Sequence, residues 1–137
     1  MTPEAAREEL SRRADAIEGG YEMMLAYAAQ GLATDQGAAN SSQLRDHLQR
    51  FDAALTGLAQ TYRACGAALA VGPQDALDGF LKTLAADAAT TQSALRLVLG
   101  QSGISSQMID NINASIHVRA LLTDVFIVDE IIKSARA

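Results

Sequence analysis

Side chains able to move protons, ligate metals or attack a carbonyl are few in this sequence. It holds two histidines, His47 and His117, and a single cysteine, Cys65. A di-metal carboxylate centre on helices takes inward carboxylates plus Glu-x-x-His on two of them. No Glu-x-x-His occurs, and Glu18 and Glu22, one helical turn apart, read as a solvated face. One cysteine excludes an intramolecular disulfide and any zinc site built on several thiolates. Cys65 falls in line with apolar residues and reads as a small buried hydrophobe. Neither a Gly-x-Ser-x-Gly elbow nor a phosphate-binding glycine loop is present. No catalytic, cofactor-binding or metal-ligating residue is assigned, and no cofactor is expected.

Three polar residues merit individual treatment. His47 is followed by Arg50 and Phe51. Histidine phosphotransfer domains carry a basic residue and then glycine at those positions, so the bulky Phe51 breaks the pattern. His117 lies between Ile116 and Val118, with Asp110 and Asp124 seven residues to either side. Two helical turns are ~10 Å, too far for direct contact, so His117 is expected as a buried or interfacial polar position. Asp129 falls among apolar positions of the last predicted helix. It is expected to be buried, paired with an arginine of another helix, or to lie past the core.

The elements that must position these residues are helical. The chain has 137 residues, of which 49% are hydrophobic and 20% charged. That length and composition suit one folded domain, residues 1–137, and exclude wholesale disorder. Formal charge is −5 with no basic stripe, which disfavours nucleic acid and anionic membranes as partners. No basic-then-apolar leader and no apolar run of ~20 residues is visible, so a cytoplasmic protein is expected.

Apolar residues recur at spacings of three and four through four segments. The first runs Leu10, Ala14, Ile17, Tyr21, Met24, Ala28, Leu32, behind Thr2 as cap and Pro3 at the first helical position. Gly19 and Gly20 interrupt it and suggest a close helix approach. The second runs Leu44, Leu48, Phe51, Leu55, Leu58, Tyr62, Cys65, Leu69, and the third Leu77, Leu81, Leu84, Ala88, Thr91, Leu95, Val98. The small centre of the third, from Ala85 to Thr91, leaves room for a neighbour or a ligand. The expected fold is all-α: an elongated antiparallel up-down-up-down four-helix bundle with helices near 3–33, 42–71, 74–99 and 105–135.

The last segment carries two apolar stripes. Met108, Val118, Leu122, Val125 and Ile132 share one side. Ile109, Ile112, Ile116, Ala120 and Ile127 share the other, and Ile131 lies between. A bundle buries one side of a helix. The preferred explanation is a second interface formed by Ile109, Ile112, Ile116, Ile127 and Ile131. The alternative is a kink near His117 that re-aims one stripe. The function expected is therefore non-catalytic protein interaction: an adaptor, regulator, assembly factor or chaperone. It self-associates as a dimer or docks another protein through that second face. The alternative is a carrier or sensor of a small apolar ligand held inside the bundle.

Overall fold

A computed structural model describes residues 2–135, and they are overwhelmingly helical with no strand among them. Six helices follow one another: α1 (Pro3–Ala29), α2 (Ser41–Leu55), α3 (Leu58–Ala68), α4 (Gln74–Leu99), α5 (Ser106–Ala114) and α6 (Ile116–Ser134). Thr2 caps α1 as expected, its Oγ1 accepting from the Ala5 amide at 3.1 Å. The helix stops at Ala29, short of the expected 33, where Gly31 takes φ +65°. α4 matches its expected span.

The second expected helix is broken in two. Thr56 is extended and Gly57 adopts φ +73°, a left-handed conformation that glycine enters without the Cβ clash. The break frees carbonyls at the end of α2. Arg13 of α1 collects two of them, donating to Ala54 O at 2.9 Å and Thr56 O at 2.7 Å. A β-branched residue followed by glycine supplies the break, and a cation on the facing helix stabilises it.

The fourth expected helix is also broken, at Ser115, which is extended (φ −67°, ψ 145°). Ser115 Oγ accepts from the Val118 amide at 3.3 Å, so the residue ending α5 caps α6. The break lets each stripe face a different neighbour. α5 packs on α1, while α6 packs on α4. Ile109 and Ile112 are consequently core residues, correcting their expected place on a second interface. The kink accounts for the α5 stripe.

α1 packs along α2, α3 and α5, and α4 packs along α2, α3 and α6. The core between them is filled by Met24, Tyr27, Leu44, Leu48, Phe51, Leu58, Tyr62, Leu81, Leu84 and Leu95. Gly20 permits the tightest approach: a Cβ there would lie 2.7 Å from Phe51 Cδ2. Gly20 is thus the packing device that its position suggested, whereas a Cβ at Gly19 would make only ordinary contact, 3.5 Å from His47 Nδ1.

Candidate functional site

Three places concentrate polar or exposed apolar chemistry. The first is the outward side of α6. Ile116 is 74% exposed, and Ile127 and Ile131 are each 44% exposed. At about 100° per residue, Ile116, Ala120, Thr123, Ile127 and Ile131 form one strip opposite the buried Val118, Leu121, Val125, Val128 and Ile132. Phe126 is exposed beside it. The strip continues sideways into a groove of about 140 Å³ lined by Val71, Pro73, Ala76, Phe80, Ile127 and Ile131. Three of the five expected interface residues therefore lie at the surface on one patch.

The second is a groove of about 310 Å³ between α1 and α6, with Leu10, Ala14 and Ile132 as its apolar part. Arg7, Glu18, Asp129 and Lys133 supply its charges. Asp129 is half-buried and accepts from the Tyr62 hydroxyl at 2.6 Å. Its partner is thus a tyrosine rather than the arginine considered from sequence. Burial raises the Asp129 pKa, opposed by the Tyr62 hydrogen bond and the Lys133 charge. Burial and the same carboxylate push the Tyr62 phenol far above its ordinary range. The pair is a fixed acceptor and a phenol that keeps its proton. That suits positioning or binding more than proton transfer at neutral pH.

The third is the contact of α4 with α6. Asp124 is 7% exposed, and one of its carboxylate oxygens has no hydrogen-bond donor among the described residues. Burial first, then Asp87 of α4 beside it, raise its pKa to about 7. A like charge beside a buried carboxyl favours its protonated form. Sequence reasoning had noted Asp124 only as too far from His117. The missed signal was Asp87, a carboxylate one residue from the buried Ala88 of α4. His117 itself is exposed, which corrects its expected burial; only its carbonyl is engaged, by Thr91 Oγ1 at 3.4 Å.

A polar knot unforeseen from sequence closes the end where α1 finishes and α2 begins. Asp35 is 1% exposed and accepts from Ser41 Oγ (2.7 Å), Arg45 Nε (2.7 Å), Arg45 NH2 (3.2 Å) and the Ile104 amide (2.7 Å). Arg45 also donates to the carbonyls of Leu99, Gln101 and Ser102. The Arg45 hydrogen bonds hold the Asp35 carboxyl well below the usual carboxylate range despite its burial. Tyr27 and Ser106 complete the knot, with Tyr27 Oη donating to Ile104 O at 2.5 Å and Ser106 Oγ to Tyr27 O at 2.6 Å. Every group here is internally satisfied, so the knot is structural.

Cys65 is fully buried, its Sγ donating to Ala6 O at 3.4 Å, and burial raises its pKa. His47 is half-buried beside Gly19. No group of three His, Cys, Asp or Glu residues able to hold a metal ion occurs among the described residues. No described helix is long and apolar enough to cross a membrane. The small centre of α4 faces the α2–α3 break across a hollow of about 180 Å³ lined by Gly57, Ala85, Ala88 and Ala89. No protein-family model matches the sequence, and comparison with curated proteins and with solved structures finds no match.

Proposed function

We propose that this chain is a non-catalytic protein-interaction module and that its docking surface is the outward strip of α6. The observation that carries this reading is the exposure of Ile116, Phe126, Ile127 and Ile131 along α6, with Ile127 and Ile131 lining the groove at Phe80. Clustered aliphatic residues of this size on a helix already packed on its other side mark an interaction surface. The scaffold is an elongated antiparallel four-helix bundle whose second and fourth arms are each a broken pair, α2–α3 and α5–α6. Supporting it, α1 and α4 each run along both members of the α2–α3 pair and divide α5 and α6 between them.

The test is native mass spectrometry of protein gently purified from its own host, compared with the double variant Ile116→Glu/Ile127→Glu. The wild type is expected to carry a protein at fixed ratio, either a second copy or another chain. The variant is expected to lose it while keeping its helical circular dichroism and its melting temperature. Protein retained by the variant, an unfolded variant, or a wild type with no protein attached overturns the reading.

A second reading has one observation behind it. The α1–α6 groove combines an apolar floor with Asp129 held by Tyr62, which suits a small amphipathic ligand. A small-molecule mass in the same spectrum, lost on Asp129→Asn, would select this carrier function instead.

A further inference from the structure

We propose that the partner on the α6 strip is a second copy of this chain, paired so that the two α6 helices run antiparallel about Thr123. The inference rests on the interaction reading above and specifies its occupant. The strip is self-complementary when the two helices run antiparallel. Its members are the exposed Ile116, Thr123, Ile127 and Ile131 and the half-buried Ala120. Turned end for end about Thr123, Ile116 meets the partner's Ile131, and Ala120 meets the partner's Ile127. Large residues meet at the ends, and small meets large nearer the axis. The same operation brings the exposed knob of Ile116 to the end of the partner where the groove at Pro73, Ala76 and Phe80 opens.

Charge selects the same direction. Arg119 and Glu130 are both exposed and make no side-chain hydrogen bond or ion pair among the described residues. At about 100° per residue they lie about 20° apart, on one flank of the strip. In an antiparallel helix pair each flank faces the same flank of the partner, whereas in a parallel pair it faces the opposite one. Antiparallel pairing therefore sets Arg119 near the partner's Glu130, with an axial offset of about 4.5 Å at 1.5 Å per residue. Two-fold symmetry makes this contact twice. In a parallel pair Arg119 and Glu130 would instead face the flank of His117 and Asp124, where Asp124 is sealed against α4.

Two measurements test the pairing. Thr123→Cys and Ile116→Cys are oxidised separately, with Cys65 left in place because it is fully buried. Thr123→Cys is expected to form a disulfide-linked dimer, and Ile116→Cys is not, since its two copies would be about 22 Å apart along the axis. Sedimentation then compares Arg119→Glu, Glu130→Arg and the double swap. Each single reversal is expected to weaken association about tenfold, and the swap to recover most of it. Cross-linking at both positions means a parallel pair and overturns the proposal, as does a swap that restores nothing. A chain that sediments as a monomer throughout the micromolar range overturns it too. If neither cysteine cross-links but Ile116→Glu/Ile127→Glu still releases a bound protein, the antiparallel pairing fails and the interaction reading survives. If that double variant also changes nothing, both fail.

Discussion

Asp35 and Asp124 are both withdrawn from water, at 1% and 7% exposure, and the fold treats them in opposite ways. Asp35 is met by a guanidinium, a hydroxyl and a backbone amide, and its carboxyl stays ionised far into acid. Asp124 is met by another carboxylate and retains a proton up to about pH 7. Burial opposes ionisation in both cases. The difference lies in what the neighbouring element supplies: donors at the loop end, a like charge where α4 crosses α6. A buried carboxylate therefore says little about stability until its donors are counted. The loop end is tied by charge, whereas the α4–α6 contact holds a carboxyl that burial and a like charge keep protonated.

The comparison breaks most readily at Asp35. Asp35→Ala leaves Arg45 without its carboxylate and should cost ~3–5 kcal/mol in urea unfolding at pH 7. Because the folded pKa is depressed, this stabilisation is present above the unfolded carboxylate pKa. It is lost as pH falls towards the folded value. The Asp124 contribution has the opposite sign. Its folded pKa is raised, so its stabilisation is complete below about pH 4 and is lost as pH climbs through about 7. Asp124→Asn should flatten that slope and stabilise the chain by ~1–2 kcal/mol at pH 8, measured as urea midpoints across pH 4–8. An unchanged slope would mean that burial beside Asp87 does not raise the Asp124 pKa. The smallest effect belongs to the intermediate case, Asp129. Tyr62→Phe should cost ~1 kcal/mol. It should also move the Asp129 titration, followed by carboxyl NMR, further upward, because the lost hydrogen bond had lowered it.

Much of the core was legible from spacing alone. Leu44, Leu48, Phe51, Leu55, Leu58, Tyr62 and Cys65 form an unbroken run at intervals of three and four, and all seven are buried. That regularity concealed the break at Thr56-Gly57. A two-residue break leaves the apolar interval intact while redirecting the local backbone, and the compensating Arg13 is far away in sequence. At Ser115 the signal was visible as two stripes on one helix. Interface and kink both predicted it; the kink at Ser115 buries Ile109 and Ile112, while Ile116, Ile127 and Ile131 stand exposed. The polar pairs were least legible. Tyr62–Asp129, Asp35–Arg45 and Asp87–Asp124 each join different elements, and nothing in local spacing fixes which face meets which.

The break at Ser115 also acts as the fulcrum of a lever. From there α6 lies along α4, and its far end borders α1 across the α1–α6 groove, where Arg7 donates to Ala135 O at 2.9 Å. α6 has 19 residues and is therefore about 28 Å long at 1.5 Å per residue. A rotation of about 10° at Ser115 would carry its far end, where Asp129 and Lys133 stand, through about 5 Å. A serine remote from the groove, holding one capping hydrogen bond, thus stands at the point about which such a rotation would change the groove's width. Substitutions at Ser115 would act on that width without touching its lining.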